Sequence, residues 1–433
     1  MTTLTATSEQ RTTATPSAAP ESRRSRITSI DALRGLIVFS MIFVNDLAGA
    51  SRDIVPAWMR HFEGKNGMTF VDLVFPAFLF IVGMSIPFAL GSRLDRGEPV
   101  WKVGLHVATR TLSLLVIGIM MVHGRPSTEA MGWSGTLWAV LMYTSALLAF
   151  SGFSLPGRGA KPEQRRADLA KLLGAVKVVG FLGLLALALC YRGKNDERIL
   201  RLAPFAISTS WYGILGLIGW AYAVGGGVFL AFRQNRAALL ACMALLLCLF
   251  PAARNGAFEG FFLANWVGIG DTLGSLPSIT VAGIILATIL RTPDTQTTRS
   301  RLRFATLFIT GCSAAALLLH GLYGIHKNSA TPSWCLWACA ITAALWVGFY
   351  VISDLKPVPF LSRPFAVAGE NVLLAYLLSS VLPSLLVLLG LIDWYSRLAQ
   401  PYLVNAIGRS VACSVFVLAV TAVLNRLGFR LRL

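Results

Sequence analysis

Charge is scarce in this chain. Asp, Glu, Lys and Arg make up 13% of its 433 residues, against about 25% in a soluble domain. With 55% hydrophobic residues and a mean hydropathy of +0.66, a water-soluble fold is excluded. Acids are scarcer than bases, 20 against 38. Metal-ligand spacing is absent as well. The seven cysteines fall in apolar stretches without a C-x-x-C pair, and read as small apolar filler. The five histidines show no H-x-x-x-H or H-E-x-x-H spacing, so no metal is expected. There is no phosphate-cradling G-x-x-x-x-G-K-[ST] loop. The glycines at 225–227 read as helix packing or a kink instead.

What is present is a series of apolar runs. They predict an all-α, polytopic transmembrane bundle of about 12 spans (10–12), near 33–50, 68–91, 102–122, 134–154, 171–190, 211–232, 237–253, 273–290, 304–322, 333–353, 365–390 and 406–425. Residues 1–26 are rich in Thr, Ser, Ala and Pro and end in basic residues, which predicts a disordered cytoplasmic tail; residues 27–433 form the membrane domain. The tail lacks an apolar signal-peptide core, so no cleavage is expected. The net charge of +18 has a topological reading in place of nucleic acid. With both termini cytoplasmic, 24 Lys and Arg lie on that side and 12 outside, as the positive-inside rule asks.

One stretch concentrates chemistry: HFEGKNGMTFVDLVFPAFLFIVGMSIP, His61 to Pro87. It sets Asp72 inside an apolar run and His61 just outside it. A carboxylate in such a run needs a polar cavity or a partner. Pro76 has no N–H to give the Asp72 carbonyl four residues earlier. Two outer loops, 251–277 and 321–334, mix aromatics with Asn, Asp, Glu and Lys. They suit a sugar-binding surface or, more blandly, an interfacial aromatic belt.

GMTFVDLVFPAFLFIVGMSIP resembles the signature of the heparan-α-glucosaminide N-acetyltransferase family and its bacterial relatives, a His followed by G-x-T-x-x-D-L-V-F-P. SIDALRG (29–35), WYGILGLIGWAY (211–222), DTLGSLPSI (271–279), KNSATPSW (327–334) and GENVLLAYLL (369–378) are similar to further blocks of that group, in order. The resemblance implies a polytopic enzyme that moves acetyl from cytosolic acetyl-CoA, its co-substrate, to a glucosamine amine across the membrane. It implies that His61 is the active-site histidine, and Asn45 matches a family Asn that follows an apolar run.

Roles follow for a catalytic set of His61, Asp72 and Asn45. Amide formation from a thioester needs a proton acceptor, and imidazole titrates near neutral pH; His61 would be that base, or would hold the acetyl group transiently as an acyl-imidazole, and is otherwise a surface histidine. Asp72 would orient that ring, or make a structural ion pair. Asn45 would donate to the acetyl oxygen, or simply end a helix. Arg34, Arg110 and Asp31 would line a cytoplasmic vestibule for coenzyme A phosphates, or form internal salt bridges. Asn265, Trp266, Asp271 and Lys327 are the candidates for binding the amino-sugar acceptor. The partners are that acceptor and the bilayer, with a second copy as a homodimer a further candidate. The expected location is a bacterial inner membrane. A rival reading from the same buried charges and Pro-interrupted spans is a proton-coupled secondary transporter.

Overall fold

The structure is a computed structural model describing residues 28–153, 163–202, 205–295, 297–358, 360, 364–365, 368–431 and 433. The expected N-terminal tail, residues 1–26, lies outside the described residues. Twelve helices correspond to the twelve expected spans: α1 (Thr28–Leu47), α2 (Val71–Asp95), α3 (Val100–Val122), α4 (Gly135–Ala149), α5 (Glu163–Cys190), α6 (Ile214–Phe232), α7 (Arg236–Arg254), α8 (Leu276–Thr288), α9 (Thr298–Tyr323), α10 (Pro332–Tyr350), α11 (Val372–Leu388) and α12 (Leu403–Arg426). Among the described residues nine helices are long and apolar enough to cross a bilayer. Helices α4 and α11 are apolar but shorter. The protein is a polytopic all-α membrane protein.

Local chemistry sets the helix ends. Side chains of Ser134, Asn235 and Thr297 accept from the amides of Leu137, Ala238 and Ser300 and so cap α4, α7 and α9. Pro332 opens α10 at a position where its missing N–H costs nothing. Gly324, at φ +63°, ends α9 in the left-handed region. Helix α11 begins at Val372, so Glu370 and Asn371 precede it instead of lying one turn inside the span expected at 365–390.

All thirteen residues of α8 are buried, the mark of a helix packed on every side. It is surrounded by α2, α6, α7 and α10. Its tightest partner is α2, against which Gly83 and Gly283 lie at backbone distance. A Cβ on Gly83 would overlap the Thr280 carbonyl, and one on Gly283 the Phe80 carbonyl. Around this centre α1 packs on α12, α3 on α6, α4 on α5 and α9 on α10. Helices α5, α7 and α9 turn exposed Leu and Val outward, among them Leu182, Leu245 and Leu318, as a lipid-facing rim would. Two small antiparallel pairs complete the fold: β1 (Ser151–Phe153) with β4 (Phe429–Leu431), and the hairpin of β2 (Leu200–Leu202) and β3 (Phe205–Ile207).

Candidate active site

At one end of the bundle the chain leaves α1, crosses a loop that holds His61, and enters α2. Asp72 is the second residue of α2, where the helix dipole favours an anion. Its side chain is 2% exposed, and that of His61 is 54% exposed. His61 Nδ1 lies 2.8 Å from Asp72 Oδ1. The other oxygen, Oδ2, accepts from the Phe62 and Thr69 amides, both at 3.0 Å, with Thr69 Oγ1 3.3 Å away. The hydrogen-bond partners of this carboxylate are donors, the set that suits an anion. The Thr69-x-x-Asp72 spacing works as half of a capping box: the acid reaches back to the Thr69 amide. The Thr69 hydroxyl donates to the Arg60 carbonyl at 2.7 Å. It thereby ties the histidine's loop to the helix start.

A distant segment completes this cluster. The loop between α9 and α10 is pinned to the His61 loop by Gly67 N–H donating to Ile325 O (2.9 Å) and Ile325 N–H to Asn66 Oδ1 (2.8 Å). Asn66 Nδ2 also meets His320 Nε2 at 3.1 Å. This pinning sets Lys327 Nζ 3.0 Å from His61 Nδ1, 3.5 Å from Nε2 and 3.7 Å from Asp72 Oδ1. Burial pushes the Lys327 ammonium below the usual lysine range, and the Asp72 carboxylate opposes that shift.

The other residues expected here are less closely joined. Asn45 is exposed near the end of α1, and makes no hydrogen bond to His61 or Asp72 among the described residues. Its neighbour Asp46 is bound by Tyr395 Oη (2.5 Å), Ser410 Oγ (2.7 Å) and Arg409 Nε (3.0 Å). That set locks α1 to α12 and is structural. Asn265 ends a short 3-10 turn and Trp266 is exposed beside it; the Trp266 carbonyl accepts from Trp211 Nε1 at 2.5 Å. Asp271 accepts from the Thr272 amide at 2.7 Å, a local cap. Of the four expected acceptor-binding residues, Lys327 alone touches the His61–Asp72 couple among the described residues.

At the opposite end a cavity of about 1790 Å³ opens among α1, α2, α3 and α9; its charged lining is Arg34, Arg110, Arg291 and Arg301 with Asp31, Asp354 and Glu370, and His106 joins them. Arg34 is engaged: it meets Asp31 at 3.2 Å, Ser85 Oγ at 2.9 Å and the Gly369 carbonyl at 3.3 Å. Arg291 pairs with Asp95 at 2.5 Å. Arg301 donates to the Thr295 carbonyl and Tyr350 Oη, both at 2.9 Å, with no carboxylate partner among the described residues. Arg110 lies over the Tyr222 ring at 4.8 Å, and its buried Nε has no hydrogen-bond partner among the described residues. An unpartnered arginine Nε and a second arginine without a carboxylate fit an anionic ligand. A second cavity of about 80 Å³ shares Phe78, Val82, Arg110 and Tyr222 with the first and continues toward Met41 and Ile214. Phe78 stands six residues beyond Asp72, about 9 Å along a helix. Among the described residues neither cavity is lined by His61, Asp72 or Asn45.

Sequence reasoning missed Thr69, Tyr222, Arg291 and Arg301. The Thr-x-x-Asp spacing was a readable signal for the first; the arginines looked like ordinary loop-flanking charge. Among the described residues no group of three or more His, Cys, Asp or Glu side chains is assembled as a metal site.

Two curated relatives share part of the sequence. Heparan-alpha-glucosaminide N-acetyltransferase of Mus musculus is 35% identical over 117 residues, 26% of this chain and 17% of that protein. The Homo sapiens protein of the same name is 34% identical over 108 residues, 25% of this chain and 15% of its own length. The match thus spans about a sixth of these relatives. A family model covers much more of the chain, residues 26–266. By that match over more than half of its length, the protein belongs to the family described as "Domain of unknown function (DUF5009)".

Proposed function

We propose that this protein is a membrane acetyltransferase that moves acetyl from acetyl-CoA, bound at the Arg110 end, to the amine of an amino sugar at the His61 end. The observation that carries the reading is the His61 Nδ1–Asp72 Oδ1 contact of 2.8 Å at one end of a bundle whose other end opens a large cavity lined by four arginines and three carboxylates. With Nδ1–H donating to Asp72, Nε2 is the basic nitrogen. It takes the proton of the acceptor amine as the amine attacks the thioester carbonyl. The new N–C bond forms, the C–S bond breaks, and the imidazolium returns the proton to the leaving thiolate. Arg110 and Arg301 would hold phosphate oxygens, with Arg34 held by Asp31 at the rim. The narrow apolar extension past Phe78 suits the pantetheine arm, which would part Phe78 and Met41 to bring the thioester toward Asn45 and His61. By this reading the Arg110 end faces the cytoplasm of a bacterial cell, and the chain acts as one membrane domain.

The test is acetyl transfer by detergent-purified protein to a panel of amino sugars, for wild type and His61→Ala. Chemistry needs no sealed membrane, so wild type should release free CoA and acetylated sugar, and His61→Ala should do neither. Solute uptake seen only in energised vesicles, with acetyl-CoA untouched, would favour the transporter reading.

A further inference from the structure

We propose that Lys327 is a self-acetylation site: in the absence of a bound sugar amine, its own amine takes the acetyl group with His61 as the base. The inference rests on the acetyltransfer reading above. Lys327 Nζ lies 3.0 and 3.5 Å from the two ring nitrogens of His61. The amine thus stands against the imidazole, and with Nδ1–H given to Asp72 it is Nε2, 3.5 Å away, that takes its proton.

The loop that carries Lys327 is held in this place by the pairing of Ile325 with Asn66 and Gly67. The amine is therefore presented to the imidazole at high effective concentration. The side chain is 27% exposed, so an acyl donor reaching His61 meets Lys327 as well. Asp72 Oδ1 at 3.7 Å is its carboxylate partner and favours the ammonium. Burial acts the other way and enlarges the neutral, nucleophilic fraction.

The step balances as it does for a sugar. The lone pair of neutral Nζ attacks the thioester carbonyl, the N–C bond forms and the C–S bond breaks. One Nζ proton passes to His61 and on to the CoA thiolate. The products are free CoA and Nε-acetyl-Lys327. The amide is neutral, cannot pair with Asp72, and stands against the ring. Self-acetylation thus turns the site off, and a bound sugar amine protects it by competing for the same acetyl group.

Purified full-length protein is incubated without acceptor, with acetyl-CoA in one arm and para-nitrophenyl acetate in the other. Acetylation of each lysine is followed by peptide mass spectrometry, and free thiol is measured in parallel. Exposed Lys65, in the His61 loop, is the internal standard. Lys327 should be acetylated more than roughly tenfold faster than Lys65 in both arms. The preference should vanish in His61→Gln, and glucosamine should slow the labelling by acetyl-CoA. Labelling of Lys327 by the ester alone, with no thiol release from acetyl-CoA, overturns the acetyl-CoA reading and retains the reactive amine. Acetyl transfer to glucosamine with Lys327 no faster than Lys65 overturns the self-acetylation and leaves the function standing. Lys327 no faster than Lys65 with either donor also overturns the self-acetylation.

Discussion

Replacing Asp72 with Asn keeps the shape of the buried group and removes its charge. Asn can still accept from the Phe62 and Thr69 amides that now meet Oδ2 at 3.0 Å. Its NH₂ then points at His61 Nδ1 and toward Lys327. A donor facing a donor drives the imidazole to the other tautomer, with the proton on Nε2, where no base remains for the acceptor amine. The expected loss in kcat is about 10²–10⁴-fold. KM for acetyl-CoA should hold, because the arginine-lined cavity lies at the far end of the bundle. Stability should fall by about 1.5–3 kcal/mol, the worth of one charged hydrogen bond at a buried carboxylate. The assay is thiol release and acetyl-glucosamine formation in detergent, with a thermal melt alongside. Activity within twofold of wild type in a folded Asp72→Asn protein would refute the role given to this carboxylate.

Other expectations concern the cavity, the lysine and the core. Arg110→Met should raise KM for acetyl-CoA by about 10–100-fold, the equivalent of one charge-assisted contact, and leave KM for the sugar unchanged; inhibition by desulfo-CoA should weaken in parallel. Lys327 holds its proton less tightly in the folded protein than free in water. At alkaline pH, up to about 10.4, the unfolded chain therefore binds more protons at this position, and stability contributed by Lys327 rises as pH rises. Melting temperature measured from pH 8 to 10 should carry an upward increment in wild type that Lys327→Met lacks. Gly83→Leu sets a side chain on the Thr280 carbonyl; it should cost about 3 kcal/mol or more, visible as a lost monodisperse peak in size exclusion.

The helices were legible because burial in lipid demands apolar runs of a set length, and each of the twelve runs is a helix. Their ends were less legible. Residues 369–371 read as part of a span because their neighbours are apolar, while they form a turn and helix α11 starts at Val372. The His61–Asp72 couple was legible because both residues sit within one short stretch. The capping geometry at Thr69 then holds the acid where the spacing suggested. Lys327 stood in the sequence as a sugar-binding candidate; its place against the imidazole depends on the Asn66–Ile325 pairing, between residues far apart in the chain. Asn265, Trp266 and Asp271 were chosen for residue type alone. The structure engages them locally, Asp271 with the Thr272 amide and the Trp266 carbonyl with Trp211. Arg34 and Asp31 do share the cavity with Arg110, but as an ion pair at 3.2 Å. Arg110, by contrast, has an Nε without a partner among the described residues, a distinction that depends on tertiary contacts.

The central claim is transfer from one end of the bundle to the other. The direct test uses proteoliposomes in which the protein has a known orientation, with radiolabelled acetyl-CoA on the Arg110 side and glucosamine on both sides. Labelled acetyl-glucosamine should accumulate in the compartment that the His61 end faces. Product on the same side as acetyl-CoA, or label that never leaves CoA, would contradict the account.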